Sequence, residues 1–189
     1  LVAQNFVSVT DTAFLGHVGA VELGAAAIGG LFYITLFMVA YGFTTGVQIL
    51  IARRHGEAEY ASIGTIFDNG LYFLGAMTLL ITGLVVFLGE HMLKPFIASA
   101  AVFEASTVFL KYRIFGLFFA SAALLFRSFY TGIAFTKYIS ISAAIMAGLN
   151  VILDYGMIFG KLGFPEMGIA GAALASSISE ACALIFFFA

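Results

Sequence analysis

Long apolar runs broken by short polar segments occupy almost the whole chain. A helix needs about 20 consecutive apolar residues to cross a hydrocarbon core about 30 Å thick. In lipid every backbone N–H and C=O must be paired within the spanning unit, which restricts the fold to helices or a closed barrel. Continuous apolar runs read as helices. They cover roughly 23–52, 64–89, 106–133 and 139–160, and two more, 1–15 and 168–189, are still apolar at the ends of the chain. The reading is an all-α membrane protein: a six-transmembrane-helix bundle over residues 1–189, with the first and last helices truncated. Only 10% of residues are charged, against about 25% in a soluble domain, so lipid is the expected surrounding.

The same composition excludes other classes. A net charge of −2 gives no basic surface for nucleic acid. The lone Cys182 cannot form an internal disulfide, and its default role is packing. His17, His55 and His91 are scattered without metal-ligand spacing, so no metal site beyond a bound Na⁺ and no cofactor is expected. Paired aspartates could in principle perform acid–base hydrolysis, but no nucleophile, metal set or cofactor motif accompanies them, and no enzyme is expected.

Against that background, polar residues inside spans carry the information. Asn150 and Asp154 lie four apart within the run 139–160, so both project from one helix face. A carboxylate in hydrocarbon is expensive and marks an ion or proton site facing a bundle interior; an Asp buried neutral and capped by Asn is the alternative. Gln4, Ser8 and Asp11 form a second polar stripe, which requires a protein or water neighbour, unless Asp11 only caps a short helix. Ser176, eight residues into the last run, comes to the depth of Asp154, about 12 Å at 1.5 Å per residue. It either supplies a further oxygen or bonds its own helix. Glu180, one turn on, is a third carboxylate that lines the cavity, pairs with Arg127 or faces solvent.

Loops orient the bundle. Basic residues collect on the cytoplasmic side of short loops, which places 53–60 and Thr136–Lys137 inside, and 17–22, 90–95 and 161–167 outside. Lys111 and Arg113, near the start of the fourth run, blur that bias. Asp68 is expected at a helix N-terminus, and Gly42 and Gly46 form a G-x-x-x-G helix-packing signal. Asp11 followed by Glu22-Leu-Gly echoes Asp154 followed by Glu166-Met-Gly, a pattern of transporters built from repeats. Asp11, Asn150, Asp154 and Ser176 offer only oxygens, suited to Na⁺ or to a proton shared between carboxylates. The 22 Phe and 8 Tyr could add cation–π contacts to an organic cation.

The segments Val-Thr-Asp11-Thr-Ala-Phe-Leu-Gly16, Gln48-Ile-Leu-Ile-Ala-Arg-Arg-His-Gly56, Leu149-Asn150-Val-Ile-Leu-Asp154-Tyr-Gly-Met-Ile-Phe-Gly160 and Met167-Gly-Ile-Ala-Gly-Ala-Ala-Leu-Ala175, in that order, resemble the multidrug and toxic compound extrusion (MATE) family. The resemblance implies the amino-terminal six-helix lobe of a twelve-helix antiporter, whose second lobe would be related by a pseudo-two-fold axis along the membrane normal. Such proteins export small organic cations in exchange for Na⁺ or H⁺ by rocking between outward-open and inward-open states. Asp11, Asn150 and Asp154 match the family's cation or proton site. Ser176 falls where relatives often place Thr, and Gln4 matches a cavity-lining polar position. The expected location is a bacterial inner membrane, multi-pass. A lipid-linked oligosaccharide flippase of the same superfamily is the alternative. It would need cationic residues in the cavity, whereas Lys111, Arg113 and Arg127 read as lying near span ends.

Overall fold

The computed structural model describes residues 2–188, with side chains from Val7 onward except that of Ser8. Its described residues form α1 (Val2–Val18), α2 (Ala20–Gly56), α3 (Tyr60–Leu93) with a 3₁₀ turn (Lys94–Phe96), α4 (Ala100–Arg113), α5 (Gly116–Gly132), α6 (Lys137–Phe159) and α7 (Ile169–Phe186). Four of these helices are long and apolar enough to cross a membrane, and α4 with α5, bent by 49°, make a fifth span. The six expected spans thus reduce to five by that measure, because the described part of α1 is only 17 residues long.

Burial follows helical stripes. On α2 the buried residues are Ala25, Gly29, Tyr33, Ala40, Thr44, Val47 and Ile51, a run of three-, four- and seven-residue steps that lines one face. The opposite faces are equally apolar and stay exposed, as at Ile49, Leu80 and Phe87. That exposed apolar surface is what lipid covers. Helices α2 and α5 pack together, as do α6 and α7, and α1 lies against α6. Buried small residues of α7, from Ala170 to Ala173, let backbones approach where lipid supplies no hydrophobic drive for association.

Several sequence expectations change. The loop expected over 17–22 shrinks to Gly19, since α1 ends at Val18 and α2 begins at Ala20. Arg53 and Arg54 form the last turn of α2, because ion pairs from Arg53 to Glu57 at 2.9 Å and from Arg54 to Glu59 at 2.7 Å let the helix run on into polar sequence. A hydrogen bond from Arg53 holds the Glu57 carboxyl below its ordinary range. Asp68 lies beyond the second turn of α3 rather than at its N-terminus. Gly42 and Gly46 meet no neighbouring atom within 4 Å, so the G-x-x-x-G pair is not a helix contact within these residues. The close approach on α2 comes instead where Gly132 of α5 faces Ile51, with 2.8 Å from a would-be Cβ to Ile51 Cγ2.

The helix expected over 106–133 is the largest change. Ser99 accepts a hydrogen bond from the Val102 amide and caps α4 from there, so the span begins earlier and breaks after Arg113. Arg113 therefore sits in the middle of a bent span, not near its start.

Candidate functional site

Asp11 on α1, Asp154 on α6 and Ser176 on α7 lie five to seven residues from the same end of the bundle, a depth of about 10 Å at 1.5 Å per residue, and Asn150 lies one turn deeper on α6. Asp154 is 0% exposed and Asn150 1%. The side chains of Gln4 and Ser8, which share the α1 stripe, lie outside the described residues. Ser177 and Ser179 bond carbonyls of their own helix. Ser176 turns the other way, and its Oγ lies 3.4 Å from the Asn150 amide.

The neighbours of Asn150 dictate how its amide is oriented. With the nitrogen turned toward the acids, Nδ2 donates to Asp11 Oδ1 at 3.0 Å and to Asp154 Oδ2 at 3.1 Å, which leaves the amide oxygen to accept from Ser176. The two carboxyls also lie within hydrogen-bond reach of each other. Carboxylates only accept hydrogen bonds, so that contact requires a proton on one of them or a cation between them. Asp154 Oδ1 is buried and has no hydrogen-bond partner among the described residues. The cluster is thus an oxygen-rich, partly unsatisfied pocket of two acids and one amide.

A cavity of about 770 Å³ opens beside it, walled by Leu31, Phe37 and Phe109 as well as by Asp11, Asn150 and Ser176. Glu180, Arg113 and Arg127 line the same cavity. Glu180 neither pairs with Arg127 nor faces solvent. Arg113 reaches it from the α4–α5 break and makes two bonds, Nη1 to Oε2 at 2.7 Å and Nη2 to Oε1 at 2.5 Å. The guanidinium also stacks over the Tyr33 ring, 3.8 Å from its centroid. Sequence reasoning missed Arg113 and Tyr33 as site residues. The available signals were Ser99, a helix-capping residue type ahead of the run, and Gly116 directly after the break.

Fold and site together define one lobe of a larger multi-helix membrane transporter. The MatE family model matches residues 1–156, and the chain belongs to that family, the multidrug and toxic compound extrusion transporters, which are not enzymes. It is 29% identical to the probable multidrug resistance protein NorM of Thermotoga maritima, over 95% of this chain and 39% of that protein. It is 31% identical to the NorM of Listeria monocytogenes, over 89% of this chain and 37% of that one. Among solved structures, the outward-facing conformation of a multidrug resistance MATE family transporter of the MOP superfamily superposes with a TM-score of 0.90 at 20% identity, over 98% of this chain and 40% of that one. A MOP superfamily transporter from Pyrococcus furiosus, described as having a binding pocket of reverse polarity, superposes with the same TM-score, identity and coverage. The chain thus spans about two fifths of the length of the relatives it matches.

Proposed function

We propose that this chain is the ion-binding amino-terminal lobe of a Na⁺- or H⁺-coupled antiporter that exports small organic cations from a bacterium across its inner membrane. The observation that carries the reading is the pair of acids from non-adjacent helices, Asp11 and Asp154, bridged by the Asn150 amide beside the cavity. Without an external cation, the amide NH₂ partly neutralises the two carboxylates. When Na⁺ enters, the amide turns so that its oxygen faces the acids and joins them and the free Asp154 Oδ1 as ligands. A proton instead bridges the carboxyls directly. Either event removes repulsion between α1 and α6, and the packing of α1 is the element that responds. The second half of the cavity, and the second lobe that would close it, belong to the remainder of a twelve-helix protein.

The flippase reading ranks lower on a different ground from span position. Arg113 and Arg127 both line the cavity, but the charge of Arg113 is already matched by Glu180, which leaves Arg127 to meet a pyrophosphate by itself among the cations of that lining.

In vesicles containing the full-length transporter, with Na⁺ and pH gradients imposed separately, Asp154→Asn abolishes gradient-driven efflux of a cationic dye. Wild-type efflux in that variant would overturn the reading, and the gradient that drives the unmodified protein identifies the coupling ion.

A further inference from the structure

Below the ion cluster lies a second constellation that the coupling reading does not use. Glu180, eleven residues into α7, and Tyr33, thirteen residues into α2, lie about 16 and 20 Å along their helices at 1.5 Å per residue, near mid-membrane. A buried carboxylate beside an aromatic face is the chemistry that recognises an organic cation: the acid supplies charge, and the ring supplies its negative quadrupole. Here both are taken by a cation of the chain itself. The Arg113 guanidinium makes its two-point contact with Glu180 while lying 3.8 Å over the Tyr33 ring.

The arrangement is fitted to the pair. A Cβ on Gly116 would collide with Arg113 Nη1, would fall 2.6 Å from Ser177 Oγ and 2.7 Å from Glu180 Oε2, and so would displace the bridge. The bridge still borders open space. Both its members and Tyr33 line the 770 Å³ cavity, and the two charged side chains keep 12% and 15% exposure. A ligand entering the cavity therefore meets this site directly.

We propose that Glu180 and Tyr33 form an organic-cation subsite that Arg113 occupies as an internal surrogate and that the transported cation wins by displacing the guanidinium. The proposal deepens the export reading and rests on it for the substrate class. Displacement does not strand Arg113 in hydrocarbon. Asp11 lines the same cavity and lies within the guanidinium's electrostatic reach. Arg113 is thus bonded to one acid, Glu180, and lies in the field of a second, Asp11. With Asp11 unliganded, Arg113 has a second place to go and the subsite opens. With a coupling cation on Asp11, Glu180 is the acid left to it and the organic cation is expelled. Mutual exclusion of that kind is what antiport requires.

The test is equilibrium binding of tetraphenylphosphonium to the full-length transporter in detergent, with no ion gradient. Arg113→Gln removes the surrogate and tightens binding about thirtyfold, the scale of one desolvated cation–π contact. Adding Glu180→Gln or Tyr33→Leu to that variant takes the gain away, and Tyr33→Phe, which keeps the ring face, takes less of it. If Arg113→Gln does not fold, Arg113→Lys keeps a cation but loses the planar two-point contact and gives a smaller gain. Unchanged or weaker binding in the folded Arg113 variants, or a gain that survives loss of Glu180, overturns the proposal. Because these readouts need no gradient, they stand apart from the Asp154→Asn efflux test, and either idea can fail while the other holds.

Discussion

A Cβ placed on Gly171 would fall 2.6 Å from the carbonyl oxygen of Met157, so α6 and α7 meet backbone to backbone at this point. The same carbonyl accepts the Met167 amide at 2.8 Å, and the Gly168 amide donates to Ile158 at 3.3 Å. The contact sets the stagger of the two helices, and the stagger puts Ser176 opposite Asn150. A site shared between two helices is only as well placed as the contact that registers them.

Gly171→Ala should therefore cost more than an ordinary glycine replacement. The obstructing atoms are backbone and cannot rotate away, and overpacking of this kind costs about 1–3 kcal/mol. Gly148→Ala on α6, where nothing lies within 4 Å, is the matched control. Thermal unfolding of the full-length protein in detergent should show a lowered midpoint for Gly171→Ala and none for Gly148→Ala. Equal midpoints would mean that the helices can separate without penalty.

The Asn150 amide donates to both Asp11 and Asp154 and so bridges them. Asn150→Leu keeps the volume and removes two hydrogen bonds to carboxyl groups, each worth about 1.5–3 kcal/mol. At 1.36 kcal/mol per tenfold, gradient-driven dye efflux should fall by about 100-fold or more in vesicles loaded with equal amounts of protein. Ser176→Ala removes only a 3.4 Å contact to the amide and should cost a few-fold. If Asn150→Leu cost no more than Ser176→Ala, the bridge would be incidental.

How much of this was legible beforehand depends on contrast. Asp11, Asn150 and Asp154 stand out because polar groups are rare in apolar runs, and four-residue spacing fixes a common face whatever the neighbours do. Which helix face is buried was not legible. On α2 the exposed Ile49 and the buried Ile51 are the same residue type, so periodicity carries no label for inside. Gly42 and Gly46 misled for that reason. The α4–α5 break left only the capping Ser99 and Gly116 as marks, because Ile114 and Phe115 continue an apolar run without a proline. Arg113 was thereby displaced in the reading from mid-membrane to a span end. The pairing of Arg113 with Glu180 joins residues 67 apart, a separation at which no local pattern operates.

The glycines of α2 and α5 give a further test. Gly132→Ala would set a Cβ 2.8 Å from Ile51 Cγ2 and 3.2 Å from the Gln48 carbonyl, an overpacking of about 1–3 kcal/mol. Gly42→Ala and Gly46→Ala meet no atoms within 4 Å and replace glycine inside a helix, a gain of about 0.5–1 kcal/mol each. The unfolding midpoint of the full-length protein should drop for Gly132→Ala and hold or rise for the Gly42→Ala/Gly46→Ala pair. A drop in the pair as large as that of Gly132→Ala would show that this face of α2 carries a close helix contact.

The orientation of the bundle can be read directly from two positions with the same backbone. Ala58, between α2 and α3, and Leu162, between α6 and α7, both have φ of +57°, so a cysteine meets equal strain at either site. Arg53, Arg54 and Lys137 lie at the end of the bundle that carries Ala58, while Lys94 and Lys161 lie at the other. With Lys111 and Arg113 now mid-span, Arg53, Arg54 and Lys137 at the Ala58 end stand against Lys94 and Lys161 alone at the Leu162 end. The positive-inside rule then puts Ala58 in the cytoplasm. In a full-length Cys182→Ser background freed of other cysteines, a membrane-impermeant maleimide applied to whole cells should label Leu162→Cys and leave Ala58→Cys unlabelled until the membrane is permeabilised. The reverse pattern would turn the lobe over. Asp11 and Asp154, about 10 Å from the Leu162 end by helix rise, would then meet cations arriving from the cytoplasm rather than from outside, and coupling to an inward ion gradient would fail.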